Sequence, residues 1–384
     1  MNDKENISKS ELHVLIIWEE ARYKETEIIN DLSNNFNVRA RYNITWNNGN
    51  AYKNFSRFYA IKARYAKSKM KHCGTGEFIL LIVEDKEPIY SYRKTNDGEE
   101  LVNKRVFDCK VKYREWTGNG HKIHATNSVE ETSHNLALVF GVTYEEYYAK
   151  LPKTFKEESF KRDLIGTNGW DNFPQLFNVL NNTLEYCVLR NFEGFFDNMT
   201  SEDHLDIDIM ARNYEEAQLI LNGRELYPFS KRVANEVIVS GERVNFDIRT
   251  IGDGYMDSEF SEKLISSRYL FENIYFRPEN KIYFYSLLYH ALVHKERIAA
   301  DYENRFEVMA NNLAISGIKE QNDKLSLLKS YMGENCFEFV EPNDLSVFYN
   351  FKLVGAKSSF KRHVVMKYRA FKKMVKRMVT LNER

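Results

Sequence analysis

Three aspartates stand where apolar residues are expected. Asp206 and Asp208 are separated by Ile207 in "LDIDIM", and Asp247 lies among apolar neighbours in "RVNFDIR". Both stretches alternate at period two and read as strands. In a strand, residues i and i+2 project to the same face. Asp206 and Asp208 therefore point the same way, roughly 7 Å apart. Two ionised carboxylates so placed repel each other, and burying them uncompensated costs several kcal/mol. A divalent cation removes that difficulty. Mg²⁺ (or Mn²⁺) takes hard oxygen ligands, usually one or two protein carboxylates with phosphate oxygens completing its shell. Asp247 follows Asp208 by 39 residues, with one helix and one strand expected between them. An antiparallel or mixed sheet would set its strand beside the first. A surface strand with alternating aspartates is the competing reading of Asp206 and Asp208 taken alone.

Other polar clusters suggest ligand contacts. "YREWTGNGHKIHATN" gathers Arg114, Gly118, Gly120, His121, Lys122 and His124. A Gly-containing turn before a strand lets backbone N–H groups approach an anion, and Arg114 and Lys122 would neutralise it. His121 and His124 could bind a ligand or relay protons; a tight turn carrying exposed polar residues is the alternative. "KHCGTGEF" is a second polar turn, but no GK[ST] follows it, so it is not a phosphate loop of the Walker type. In "YHALVHK", His290 and His294 share one helix face. That spacing permits zinc, yet no glutamate completes an HExxH frame, and apolar neighbours favour a helix packed under the acidic cleft.

The elements that must position these residues fall into two groups. The chain has 384 residues, 43% hydrophobic and 29% charged, which suits about two domains with a core in each. Strands and helices alternate through the first 150 residues, so an α/β domain with a largely parallel sheet is expected at 1–150. "FILLIV" suits a strand buried on both faces. Ser128, with Glu131 three residues on, opens a helix that Gly141 closes. Residues 151–168 are charged and weakly periodic and read as a junction. An α+β domain with a mixed sheet is expected at 169–350, with "ANEVIVSG" and "RVNFDIR" turning at Ser240-Gly241 and a helical extension from Ser258 onward.

Four scattered cysteines form neither a disulfide framework nor a zinc knuckle, which suggests a reducing compartment. The first residues lack the apolar core of a signal peptide, and no apolar run is long enough to span a bilayer. A cytoplasmic location is expected. The net charge of zero hides an asymmetry: residues 351–384 hold eleven Lys and Arg against the single acid Glu383. Within that tail, Phe360, Val364, Tyr368, Phe371, Val375 and Met378 form one helical stripe flanked by basic residues such as Lys361, Arg362 and Lys373. A basic amphipathic helix suits an anionic membrane surface, placing the protein at the inner membrane face. Docking on a partner, on this protein's own acidic body or on nucleic acid are the alternatives, nucleic acid being the least favoured.

The order "LDIDIM", helix, "VNFDIR" resembles the DNA polymerase β-like nucleotidyltransferase superfamily over about residues 170–300, and "EDHLDIDI" is similar to its LicD/fukutin branch of phospho-alcohol transferases. The resemblance implies a nucleotidyltransferase-like mixed sheet, catalytic Asp206, Asp208 and Asp247, and Mg²⁺ (or Mn²⁺) held by Asp206 and Asp208. It implies a nucleotide or CDP-alcohol donor and a sugar or glycan acceptor, as in bacterial capsule and surface polysaccharide biosynthesis. The Gly-Ser turn usual before the acidic strand is missing here. Arg190, Asn191 and Arg249 would contact substrate phosphate in its place, alongside Arg114, His121, Lys122 and His124. Two other readings remain: a non-catalytic nucleotide- or glycan-binding module, and a nucleotidyltransferase acting on RNA or protein in a toxin or defence system.

Overall fold

The computed structural model describes residues 10–95, 98–151, 154–190, 206–368 and 371. Asn191 and the tail beyond Phe371, including Lys373, Val375 and Met378, lie outside them. The chain divides into two units. The first comprises residues 1–184 with 215–223 and 237–243; the second comprises 185–214, 224–236 and 244–384.

The first unit begins with β1 (Glu11–Ile17), α1 (Glu25–Asn35), β2 (Asn37–Thr45), α2 (Ala51–Phe58), α3 (Ala63–Cys73) and β3 (Phe78–Asp85). A hairpin of β4 (Tyr90–Lys94) and β5 (Glu99–Asn103) leads into α4 (Lys104–Trp116), β6 (Ile123–Ala125), α5 (Val129–Phe140), α6 (Tyr144–Ala149), β7 (Lys156–Lys161) and α7 (Phe173–Thr183). The sheet order is β6-β1-β3-β2-β7. The class of helices with mixed sheets is as expected, but the strand directions are not largely parallel. β1 runs antiparallel to both β3 and β6, β2 runs antiparallel to β3, and β2–β7 is the parallel pair. The central strands are buried on both faces, as "FILLIV" foretold: every residue of β3 is buried. One face holds Leu15, Ile17, Ile79, Leu81 and Ile123 under Ile28, Leu32, Val106 and Tyr113 of α1 and α4. Ser128 caps α5 by accepting from the Glu131 amide, and Gly141 closes it in the left-handed region.

Residues 151–168 are not a junction. β7 lies within them and extends the first sheet. Asp163 pins the chain just beyond β7, accepting hydrogen bonds from the side-chain amides of Asn47, Asn50, Asn54 and Asn168. The charge of the segment concealed this, because β7 is an edge strand whose side chains are mostly exposed.

In the second unit, β8 (Tyr186–Arg190) and β9 (Asp206–Ala211) are followed by α8 (Tyr214–Leu221), most of which belongs to the first unit, and then by β10 (Arg224–Glu225), β11 (Ala234–Val239) and β12 (Glu242–Thr250), the end of β11 and the start of β12 being counted with the first unit. β11 turns into β12 at Ser240 and Gly241, both at positive φ. The sheet order is β10-β11-β12-β9-β8, with β12 parallel and β8 antiparallel to β9. Helices α9 (Ser258–Ser266), α10 (Asn280–Val293), α11 (Ala300–Asn312), α12 (Gln321–Glu334) and α13 (Phe351–Val354) complete the unit, interrupted by the hairpin of β13 (Tyr269–Phe271) and β14 (Tyr275–Arg277). Ile282 to Val293 of α10 are all buried.

Residues 360–368 are helical. One side of this helix is anchored on its own unit. The buried Arg362 donates to Glu341 Oε1 at 2.9 Å, to the Val347 carbonyl at 2.7 Å and to the Pro342 carbonyl. The stripe faces the other way: Phe360 is 84% exposed, and Val364, Tyr368 and Phe371 are exposed as well. No helix among the described residues is long and apolar enough to cross a membrane.

Candidate functional site

Strand pairing brings the acids together. In the parallel β9–β12 pair, Asp247 lies opposite Asp208, and Asn245 opposite Asp206. On the other side of β9, Arg190 lies opposite Asp208. One row across three strands therefore reads Arg190, Asp208, Asp247. Arg190 Nη2 donates to Asp208 Oδ1 at 2.6 Å, with both side chains about nine-tenths buried. Burial lowers the pKa of Arg190, but Asp208, then Tyr255, outweigh it, so the guanidinium is held charged. Asp247 is pushed up to about 6 by burial, then by Asp208, against the opposing pull of Arg249 and Arg190. Asp206 stands apart: it is exposed and accepts from Asn245 Nδ2 at 3.0 Å.

Beside this row opens a cleft of about 630 Å³ lined by Arg190, Arg232, Asp247, Arg249, Tyr255, His290, His294, Lys295 and Asp344, among others. Asp208, between Arg190 and Asp247 in the row, is buried and does not line the cleft. The guanidinium of Arg249 sits over the Tyr255 ring at 4.3 Å and reaches Asp344 at 3.7 Å and Asp253 at 3.9 Å. The Tyr255 hydroxyl is 2.7 Å from His290 Nδ1, and its ring lies 4.2 Å from that of His294. Burial, then Arg190, keep both histidines far below the ordinary imidazole range, so they stand neutral. Arg249 Nε and both ring nitrogens of His294 are buried without a hydrogen-bond partner among the described residues.

The residues fit a metal only in one sense. Asp208 and Asp247 are two opposed hard-oxygen donors whose mutual repulsion a divalent cation would relieve. Among the described residues, however, no group of three or more His, Cys, Asp or Glu is placed to hold a metal. The set suits a cation that arrives with phosphate oxygens rather than one caged by protein alone.

The cluster read from "YREWTGNGHKIHATN" lies in the first unit, and the acids and cleft lie in the second. Two of its cations serve local structure. Arg114 Nε donates to the Ile123 carbonyl at 3.0 Å and Lys122 Nζ to that of Thr117 at 3.1 Å. His124 is buried against the edges of the Phe58 and Tyr59 rings, with Nε2 2.9 Å from Asn135 Nδ2. Burial, then Lys110 and Lys69, hold its pKa far down. His121 is lowered too, by burial and then Lys69 and Arg114, while burial brings Lys69 to about 8. In this nest the cations Lys69 and Arg114 depress both histidines.

Sequence reasoning did not single out Arg232, Tyr255, Lys295 or Asp344 in the cleft, nor Lys69 in the cationic nest. Lys295 directly follows His294 and could have been drawn in with the histidine pair. Asp344 and Lys69 carry no local signal.

No family model matches the chain, and no curated protein matches it. Among solved structures, one match is an orthorhombic crystal form of the Aquifex aeolicus nucleoside diphosphate kinase. It is 15% identical and covers 33% of this chain and 93% of that one, with a TM-score of 0.24. A score that low carries no argument about this chain.

Proposed function

We propose that the second unit is a metal-dependent nucleotidyl- or phospho-alcohol transferase, taking a nucleotide or CDP-alcohol donor and a sugar or glycan acceptor at the inner membrane face. The observation that carries this reading is the row of Arg190, Asp208 and Asp247 beside a cleft rich in arginine. Arg190, Arg249, Arg232 and Lys295 line the cleft as cations that would bind and orient donor phosphates. Arg190 would exchange Asp208 for a phosphate oxygen, freeing a carboxylate that is otherwise occupied. Mg²⁺ or Mn²⁺ held by Asp208 and Asp247 would offset the charge on the transferring phosphoryl group. Asp247 would also accept the proton of an acceptor hydroxyl, through the carboxylate oxygen that the cation leaves free. Asp206, exposed and bonded to Asn245, joins such a site only by turning inward.

A second reading, a nucleotide- or glycan-binding module without catalysis, draws on the Arg190–Asp208 ion pair, which already satisfies the central carboxylate. Thermal melts distinguish the two. Mn²⁺ plus CDP-ethanolamine or CTP should raise the melting temperature of the wild type beyond the effect of either alone, because ligands bound only by the native state stabilise it. Asp247→Asn should lose the part of the increment that needs both. An unchanged joint increment in that variant excludes Asp247 from the site, and a nucleotide increment indifferent to metal supports the binding module.

A further inference from the structure

The cleft beside the acidic row has a neighbour. A second cleft of about 690 Å³ is lined by Phe229, Lys231, Arg232, Lys361, Val365 and Tyr368, among others. Arg232, Asp344 and Ser346 line both clefts and form their common wall. The rim of the second cleft is apolar and unusually open to solvent: Phe229 is 102% exposed and Tyr368 58%. Tyr368 also belongs to the exposed stripe of the helix at 360–368, so the rim runs on into Val364 and Phe360. Arg362, locked to the carbonyls on the opposite side, keeps that stripe facing outward. Lys231, Arg232 and Lys361 are exposed, and the Arg232 guanidinium lies over the Tyr227 ring at 4.4 Å. An open aromatic rim with exposed cations among it is the chemistry of an interfacial surface. The rings enter the headgroup boundary and the cations meet lipid phosphates.

We infer that this surface docks on an anionic lipid bilayer and sets the common wall of the two clefts against the headgroups. If the transferase reading holds, on which this last point rests, the substrate that enters from that side is an amphiphile. Its phosphate reaches Arg232 and its chains stay in the bilayer.

Sedimentation with vesicles tests the surface separately from the chemistry. The full chain should co-sediment with vesicles of phosphatidylglycerol and phosphatidylcholine in equal parts, and hardly with phosphatidylcholine alone. Lys231→Glu with Lys361→Glu should weaken partitioning about tenfold or more, since each basic residue near the surface contributes about 1 kcal/mol. Phe229→Ala with Tyr368→Ala should weaken it at high salt, where charge is screened. The four positions are exposed, and Lys231→Gln with Lys361→Gln gives a milder pair should the reversal disturb folding. Asp247→Asn, which disables the proposed chemistry, must bind vesicles as the wild type does. Partitioning unchanged in both paired variants, or equal on neutral vesicles, overturns the inference. So does a wild type that ignores vesicles and instead dimerises through the stripe.

Discussion

Removing one partner of the Arg190–Asp208 pair should be costly, and removing both should not. The two atoms are 2.6 Å apart, and the side chains are 10% and 7% exposed. Neither Asp208→Asn nor Arg190→Met changes the volume greatly, so the effect is electrostatic. A buried charge that loses its partner costs about 3–5 kcal/mol. Asp208→Asn belongs at the lower end of that range, because Asp247, one strand further along the row, still attracts the stranded guanidinium. Arg190→Met leaves Asp208 against Asp247, with Arg249 and the weaker Lys295 as remaining cations. The two carboxylates then ionise reluctantly, so their pKa values rise. A carboxyl raised in the folded state contributes stability below its unfolded pKa and loses it as pH rises. Arg190→Met should therefore be most destabilised near neutral pH and should partly recover toward pH about 5. The double variant should lie closer to the wild type than the sum of the two single losses, since nothing is then left unpaired. Urea denaturation in the presence of EDTA, at both pH values, measures all four corners of the cycle. Single losses below about 1 kcal/mol that simply add would show that the row is open to water, and the exchange proposed for Arg190 would then have no basis.

Two further outcomes rest on the same kind of geometry. Burial works against the charge of Asp163, yet the amides of Asn47, Asn50, Asn54 and Asn168 hold its pKa at about 2. The resulting stability is present above the ordinary carboxylate range and is lost as pH falls toward 2, so Asp163→Asn should flatten the acid limb of the stability profile, and an unchanged acid-unfolding midpoint would count against the amide cage. Arg362→Met leaves three backbone carbonyls without this donor, while Glu341 keeps Ser359, which should cost about 1–3 kcal/mol and expose residues 360–368 to early proteolysis; proteolysis as slow as in the wild type would refute the anchor.

Local order was legible because it rests on local physics. The period-two pattern placed β9 and β12, the apolar run of β3 announced burial on both faces, and Ser240-Gly241 supplied the positive φ that the β11–β12 turn needs. Ser128 and Gly141 bounded α5 through hydrogen bonds spanning a few residues. The same pattern marked Asp208 and Asp247 as carboxylates out of place and left open whether their strands would meet. That was a matter of register, set by interstrand hydrogen bonds between segments far apart in the chain. Those bonds made β9 and β12 parallel and put Asp247 opposite Asp208. The same kind of pairing, with β8, gave Asp208 a guanidinium partner. It also turned the residues expected to form a junction into an edge strand, since alternation along a charged segment does not reveal a neighbour. The tail divided along the same line. Its periodicity specified an amphipathic helix, because a 3.6-residue repeat is intrinsic to the chain. Which side would be buried was decided by tertiary contact: the charged Arg362 found carbonyls to satisfy it, and Phe360 was left in water.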